Sequence, residues 1–187
     1  MEVLATEIAD VKLLRPVYHG DERGYFVEMF NGRRFAEADL PHDFVQDNQS
    51  RSGTRGTLRG LHFQTPPFAQ TKLVRVLEGA VLDVAVDLRR GSPTRGQHVM
   101  VEISAANRLQ MLVPKGFAHG FLTLVPDTVV LYKVDAYYAP DHDRGVRFDD
   151  PDLAIPWPAD PGVVVVSDRD RRQPAFRELP IWFDVEV

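Results

Sequence analysis

The 187-residue sequence contains no cysteine. Disulfide bonds, thiolate metal ligands and a cysteine nucleophile are therefore excluded, and the composition fits a reducing compartment such as the cytoplasm. No apolar run approaches the roughly 20 residues that a membrane-spanning helix needs. The acidic residues 1–7 lack the basic start and apolar core of a signal peptide. We therefore expect a cytoplasmic protein that does not contact a membrane.

An excess of positive charge is also missing. Lysine and arginine number 22 against 27 aspartates and glutamates, which gives a formal net charge of −5. Binding to the phosphates of a nucleic-acid polymer favours a basic surface, so the charge argues against such a partner while allowing a local basic pocket. No glycine-rich phosphate loop precedes a helix, so nothing supports nucleotide hydrolysis.

Glycine and proline are plentiful and interrupt the chain at short intervals, with 13 and 14 residues. This pattern favours many short strands over long helices. About ten strands separated by turn signals predict an all-β jelly-roll barrel, in a single domain over residues 1–187 with a few short helices. Asn31 is suited to cap one of these helices. Residues 72–77 and 81–88 are expected to pair as a hairpin across Gly79.

The most informative stretch spans residues 57–64, where a histidine lies within a strand-like run. Strand alternation places Gly60 and His62 on one face, and Leu61 and Phe63 on the other. An imidazole with an ordinary pKa of ~6.5 takes and returns protons near neutral pH. We predict that the first face supplies a base to the barrel interior, although a lone strand histidine is more often structural.

Two cations, Arg59 and Lys72, lie close to His62 in the sequence. A general base also needs a partner that orients its second ring nitrogen. Asp83 and Asp170 are both candidates for that partner, and their spacing does not choose between them.

A second histidine, His119, stands between two glycines in residues 113–121, where a tight turn with a surface histidine is an equally good interpretation. Tyr132 and Tyr138 share one face of a strand expected over residues 129–138. A phenol that faces a basic histidine across a cavity would donate a proton from the opposite side.

The compact cluster of two histidines and one acid that metal-binding barrels use is missing, because Gln64 stands two residues after His62. An inward-pointing Lys72 would also repel a cation, so we expect neither a metal nor another cofactor. A diphosphate suits the basic residues at turns and rims, although ordinary surface charge explains each arginine equally well: Arg23, Arg59, Lys72 and Arg169.

Six segments, in this order along the chain, resemble the dTDP-4-dehydrorhamnose 3,5-epimerase family of the cupin superfamily. The segments are residues 21–28, 46–50, 58–64, 116–121, 132–138 and 167–170. Each segment alone is a weak signal, but their common order from Val11 to Asp170 makes the resemblance specific.

The resemblance implies a cupin-type double-stranded β-helix that forms a homodimer and works without a metal. The implied substrate is dTDP-4-dehydro-6-deoxy-D-glucose, a dTDP-4-keto-6-deoxy sugar, and the product is dTDP-4-dehydro-L-rhamnose. By the same resemblance His62 removes the protons at C3 and C5, and Asp170 is its partner. Tyr132 would return a proton from the other face, and Lys72 would lie near the C4 oxygen.

The resemblance also implies a set of substrate-binding residues, of which Arg23 and Glu28 would act across the dimer. The set is Arg23, Phe26, Glu28, Gln46, Asn48, Arg59, His119, Tyr138, Asp143 and Arg169. The family usually has glutamate at position 143 and lysine at position 169, so the reach of these two side chains differs here.

Three alternatives remain open at this point. A relative that epimerises only C3 or only C5 would share most of these residues. A non-catalytic cupin that binds sugar nucleotides would not need His62, Lys72, Tyr132 and Asp170 together. A metal-dependent cupin oxygenase would need ligands that the sequence does not group.

Overall fold

A computed structural model describes residues 1–158 and 164–185, and within these ranges strands predominate. The strands are β1 (Glu2–Ala5), β2 (Lys12–Arg15), β3 (Tyr18–Asp21), β4 (Gly24–Val27), β5 (Gln46–Ser52), β6 (Leu58–Gln64), β7 (Lys72–Glu78), β8 (Ala80–Asp87), β9 (His98–Ser104), β10 (Gln110–Val113), β11 (Phe117–Thr123), β12 (Thr128–Val134) and β13 (Asp143–Gly145). The helices are α1 (Gly32–Glu37) and α2 (Asp168–Arg171), with single 3-10 turns at Pro140–His142 and Phe176–Glu178. None of these described helices is long and apolar enough to cross a membrane.

Two antiparallel sheets face each other across the main core. The six-stranded sheet has the order β1-β2-β10-β7-β12-β5, and the five-stranded sheet has the order β13-β6-β11-β8-β9. Strands β3 and β4 form a separate hairpin. Both large sheets contribute to one apolar cluster, with Val74 and Val130 from the first and Val81 and Phe121 from the second. This arrangement confirms the all-β prediction, while the single-domain assignment stays a prediction.

The predicted helix after Asn31 is present as α1. The Asn31 side chain accepts hydrogen bonds from the backbone N–H groups of Arg33 and Arg34, which have no partner inside the helix. Phe35 is the buried residue of α1, and it packs against Leu14 and other residues on the outer face of the six-stranded sheet.

The predicted hairpin of β7 with β8 is wrong, because the two strands belong to different sheets. Strand β7 is paired with β10 on one side and β12 on the other, so neither edge is free for β8. The turn at Gly79, where φ is +79°, instead carries the chain from the six-stranded sheet to the five-stranded sheet.

Two strand limits also differ from the sequence-based expectation. Strand β11 begins at Phe117, so His119 lies inside a strand, buried, and not on a surface turn. Strand β12 ends at Val134, so Tyr138 lies outside it. The sequence also favours a short strand over residues 163–167. Residue 163 lies outside the described residues, and the described Val165 makes a single bridge to Thr57.

Candidate active site

A cavity of about 520 Å³ lies between the two large sheets. Both sheets and the segment before α2 contribute to its lining. The lining residues are Ser50, Thr57, Leu58, Arg59, His62, Lys72, His119, Phe121, Tyr132, Val165, Val166, Ser167, Arg169 and Asp170. The cavity therefore brings together seven of the predicted site residues: Arg59, His62, Lys72, His119, Tyr132, Arg169 and Asp170.

The position of His62 follows from the pairing of β6 with β11, in which His62 lies opposite His119. The register shifts just beyond His119, and there Gly60 approaches Gly120 closely. A Cβ atom on Gly60 would lie 2.6 Å from the Gly120 Cα, so only glycine fits. This irregularity lets Arg59 and His62 line the same cavity, although simple alternation assigns residues three apart to opposite faces.

The other face of β6 is fully covered, as alternation predicted. Leu61 and Phe63 belong to an apolar cluster with Val146, Leu179 and Phe183 from the C-terminal part of the chain. Burial of side chains of this size stabilises a fold by about 1.5–3 kcal/mol each. Hydrophobic packing on the face opposite His62 therefore stabilises the position of strand β6.

His62 forms a close pair with Asp170, with 2.6 Å between Nε2 and Oδ1. The second carboxylate oxygen accepts the Gly60 N–H at 3.3 Å, and Ser167 caps helix α2, which carries Asp170. Burial acts to raise the pKa of Asp170, but hydrogen bonds, above all the one to His62, hold this pKa below its usual range. The carboxylate stays ionised near neutral pH and stabilises the imidazolium that forms when His62 takes a proton.

His119 forms a second pair of the same kind, with 2.7 Å between its Nε2 and Asp83 Oδ1. Both side chains are buried, Asp83 completely. The other carboxylate oxygen, Oδ2, has no hydrogen-bond partner among the residues that the structure describes. The open question from the sequence is thus answered by geometry, because Asp170 pairs with His62 and Asp83 pairs with His119.

Lys72 is a buried cation at the first position of β7. Its Nζ donates a hydrogen bond to the backbone oxygen of His62 at 3.3 Å. Burial lowers the pKa of Lys72 to about 8, and the charges of Asp143 and Asp83 oppose this shift. The ammonium is the major form at pH 7, so a positive charge stands beside the His62 backbone.

Tyr132 reaches the cavity from β12 of the six-stranded sheet, whereas His62 comes from the five-stranded sheet. Burial raises the pKa of Tyr132, the charge of Asp143 adds to this effect, and Arg59 opposes it. The phenol therefore keeps its proton at neutral pH and can donate it. An imidazole and a protonated phenol therefore line the same cavity from different sheets.

Tyr138, Asp143 and Arg169 form a polar group beside the cavity. The Tyr138 hydroxyl donates to Asp143 Oδ2 at 3.0 Å, which raises the pKa of Tyr138, and Arg169 bonds the same oxygen at 2.6 Å. The Tyr138 backbone N–H donates to Gln46 Oε1 at 3.1 Å. The Arg169 side chain is about half exposed whereas that of Asp143 is largely buried, so a ligand phosphate would have to compete with Asp143 for the guanidinium.

Strand β5 supplies a polar wall, because its residues alternate and Gln46, Asn48, Ser50 and Ser52 share the inward face. Gln46 Nε2 donates to Asn48 Oδ1 at 2.8 Å. The Arg59 Nε–H donates to Ser52 Oγ at 3.2 Å, which orients the guanidinium. Gln46 and Asn48 thus hold each other in place, and Ser52 holds Arg59.

Seven predicted binding residues are not among the residues that line the cavity. Four of them belong to the polar groups described above: Gln46, Asn48, Tyr138 and Asp143. The other three are Arg23, Phe26 and Glu28. They lie on the β3–β4 hairpin or directly after it, and Phe26 is 72% exposed. Arg23 pairs with Asp21 at 2.5 Å, and Glu28 pairs with Arg34 at 3.1 Å. The predicted role of Arg23 and Glu28 depends on a second subunit.

Within residues 1–158 and 164–185, no group of three or more histidine, aspartate or glutamate side chains could hold a metal ion. The two cavity histidines, His62 and His119, each bond a separate aspartate. Independence from metal stays a prediction.

Several cavity residues escaped the sequence analysis: Ser50, Thr57, Leu58, Phe121, Val165, Val166 and Ser167. A signal existed for Ser50, because alternation puts it on the face of Gln46 and Asn48. No local signal existed for Val165 and Val166, since a single bridge between Thr57 and Val165 brings this segment to β6.

The chain is similar to known proteins of one enzyme family. The family model described as dTDP-4-dehydrorhamnose 3,5-epimerase matches residues 5–178. A dTDP-4-dehydrorhamnose 3,5-epimerase of Sinorhizobium fredii is 53% identical over 176 residues, which cover 94% of this chain and 90% of the relative.

Two solved structures are also similar. A dTDP-4-dehydrorhamnose 3,5-epimerase of Bacillus anthracis, with TDP and PPi bound, is 53% identical, with a TM-score of 0.90 over 93% of this chain and 98% of that one. A dTDP-6-deoxy-D-glucose-3,5-epimerase of Legionella pneumophila, in complex with dTDP-4-keto-L-rhamnose, is 41% identical, with a TM-score of 0.94 over 100% and 99% of the two chains. Since the family model covers most of the sequence and the relatives align along nearly their whole length, the chain belongs to the dTDP-4-dehydrorhamnose 3,5-epimerase family.

Proposed function

We propose that this protein epimerises C3 and C5 of dTDP-4-dehydro-6-deoxy-D-glucose and thereby forms dTDP-4-dehydro-L-rhamnose. The observation that carries the proposal is the cavity in which the His62–Asp170 pair and Lys72 face Tyr132. Membership of the epimerase family supports the reaction, and the sugar nucleotide bound to the Legionella relative supports the substrate class.

The first step removes a proton from the carbon next to the C4 ketone. His62 takes this proton, the C–H electrons form a C=C bond, and the carbonyl electrons move to the C4 oxygen, which gives an enolate. Asp170 stabilises the resulting imidazolium, and the Lys72 ammonium stabilises the negative oxygen. These are the charges that the lowered pKa of Asp170 and the pKa of Lys72 near 8 provide at neutral pH.

The second step returns a proton to the opposite face of the same carbon. Tyr132 donates it as the C4 carbonyl re-forms, which inverts the centre and leaves a phenolate and an imidazolium. Exchange with water restores Tyr132 and His62 for the second centre. The new C–H hydrogen therefore derives from solvent, so each inverted carbon acquires deuterium in D2O.

The remaining predicted residues would bind the nucleotide part of the substrate. Arg59 and Arg169 suit the diphosphate, because a guanidinium bonds phosphate oxygens with two N–H groups. Gln46 and Asn48 bond each other on the adjacent strand β5, and the aromatic ring of Tyr138 would pack against the nucleotide base. His119 would contact the sugar from its fixed position opposite His62.

We further propose a homodimer in which Arg23, Phe26 and Glu28 complete the partner's site. An isolated two-stranded hairpin is only marginally stable in water, and this one exposes Tyr25 and Phe26, so a covering surface fits its composition. Cytoplasmic location likewise stays a prediction from the sequence, which cell fractionation would test.

Mixing inactive subunits tests the dimer proposal. His62→Ala and Arg23→Ala proteins are each expected to be nearly inactive. If Arg23 serves the partner's cavity, mixed dimers contain one intact site, and equal mixing after subunit exchange restores roughly a quarter of wild-type activity. No recovery, with mixed dimers shown by mass spectrometry, would contradict service across the dimer.

Deuterium incorporation tests the reaction itself. The protein is incubated with dTDP-4-dehydro-6-deoxy-D-glucose in D2O, and C3 and C5 are followed by NMR. Deuterium at both carbons is expected. Incorporation at one carbon would instead indicate a C3-only or C5-only epimerase, and incorporation at neither would indicate a non-catalytic sugar-nucleotide-binding protein.

A further inference from the structure

The hydroxyl group of Ser50 is a buried polar atom without a hydrogen-bond partner in the described chain. Its residue lines the cavity, on the inward face of β5. A buried hydroxyl that makes no hydrogen bond is unfavourable, so each such group in a native protein calls for an explanation. Ser50 has no part in the roles proposed so far.

The other polar residues of this strand face are already engaged. Gln46 bonds Asn48, and Ser52 accepts a hydrogen bond from Arg59. Ser50 stands between Asn48 and Ser52 and is bonded to neither. On the inward face of β5, Asn48 and Ser52 are thus held by hydrogen bonds, whereas the Ser50 hydroxyl between them is not.

We propose that Ser50 determines specificity by hydrogen bonding the C2 hydroxyl of the substrate's hexose ring. Serine rotates about χ1 among three staggered positions, so its oxygen can turn from the strand to the cavity that the side chain lines. A hydroxyl both donates and accepts, as a sugar hydroxyl does. The inference rests on the proposed function, because it assigns a contact to that substrate.

The chemistry of the substrate selects C2 among its ring carbons. C4 carries the ketone and C6 carries no hydroxyl, which leaves the hydroxyls on C2 and C3. C3 is inverted, so its hydroxyl changes direction during the reaction, whereas the C2 hydroxyl keeps its configuration. A group on a strand paired to β12 can therefore hold C2 throughout turnover and keep the ring aligned with Tyr132, which pairs with Asn48.

The test combines Ser50→Ala with a substrate that lacks the 2-hydroxyl. Dissociation constants for dTDP-glucose and dTDP-2-deoxyglucose are measured by calorimetry, and kcat/KM is measured for the corresponding 4-keto-6-deoxy sugars. Wild-type protein is expected to prefer the hydroxylated ligand by about tenfold, and Ser50→Ala to lose this preference. Ser50→Thr, which keeps the hydroxyl, is expected to restore part of it.

A structural role for Ser50 would give a different pattern. Equal weakening of both ligands by Ser50→Ala, or an unchanged preference, would overturn the proposal. Thermal unfolding provides the folding control, because removal of an unbonded hydroxyl is expected to leave Tm unchanged or higher. The calorimetric arm does not require turnover, so a failure of wild-type protein to epimerise would refute the proposed reaction and leave the Ser50 contact separately tested.

Discussion

The two histidine–aspartate pairs of the cavity have nearly the same distance between nitrogen and oxygen but very different surroundings. The distances are 2.6 Å for His62–Asp170 and 2.7 Å for His119–Asp83. The side chain of His62 is 31% exposed, whereas that of His119 is 7% exposed and Asp83 is completely buried. A base must touch its substrate and exchange protons with water, so exposure, and not pairing, distinguishes the two histidines.

The carboxylates differ in the same sense. Asp170 is bonded by His62 and by a backbone N–H of Gly60, and it sits on a capped helix outside the sheets. Asp83 lies inside the barrel on β8 and leaves one oxygen without a partner among the described residues. These surroundings suit the first pair to the proposed change of charge during the reaction and the second pair to a fixed position.

The largest expected effect separates the two histidines directly. His62→Ala should lower deuterium exchange at C3 and C5 by at least ~100-fold, because it removes the positioned base. His119→Ala should mainly raise KM, because it removes a binding contact. Exchange rates and KM for both variants check this. Wild-type-like exchange by His62→Ala, or an exchange defect confined to His119→Ala, would reverse the assignment.

The next effect concerns Tyr132, the proposed proton donor opposite the His62–Asp170 pair. Tyr132→Phe should lower net inversion by about 100-fold while leaving proton removal much less affected, because only the acid is lost. Comparison of product formation with loss of the substrate's own C–H hydrogens in D2O separates the two. Equal loss of both would count against a separate role for the phenol.

Replacement of the carboxylates should have a smaller effect. Asp170→Asn should lower kcat on the order of 10–100-fold, because the amide neither stabilises the imidazolium nor fixes the same tautomer. Asp83→Asn is the matched control, and it should change KM more than kcat. A larger fall in kcat for Asp83→Asn than for Asp170→Asn would show that the buried His119–Asp83 pair carries the proton.

The smallest effect is a pH dependence. A lysine is charged below its pKa, so support of the enolate by Lys72 should be complete well below pH 8 and should be lost as the pH rises through about 8. The expected kcat falls about twofold at pH 8 and tenfold at pH 9. Lys72→Arg keeps its charge in this range, so it should start from a lower plateau without this fall. A similar alkaline fall in Lys72→Arg would assign the titration to another group.

Local periodicity predicted the strand faces well and the strand partners poorly. The inward face of Gln46 and Asn48, the covered face of Leu61 and Phe63, and the cap at Asn31 all depend on near neighbours in the chain. Pairing of β7 is decided by strands up to 62 residues away, as for Lys72 and Val134, in a sheet of six, and no local pattern encodes it.

The candidate site shows the same limit. The sequence left Asp83 and Asp170 equal as partners of His62, because the choice depends on how residues 165–170 fold back against β6. The sequence also indicated a turn at His119, because glycines near it on both sides are turn signals. The structure shows a different reason for Gly120, since the close packing of β6 on β11 leaves no room for a side chain there. Family resemblance, and not periodicity, selected Asp170.

The contact of Gly60 with Gly120 has a consequence for how the two imidazoles are spaced. They lie on paired strands next to a point where backbone meets backbone, with no side chain between. Backbone atoms in van der Waals contact do not compress, so core substitutions elsewhere can alter side-chain packing without altering this separation. The contact thus fixes the separation of His62 and His119, and the surrounding hydrophobic clusters can vary in sequence without changing it.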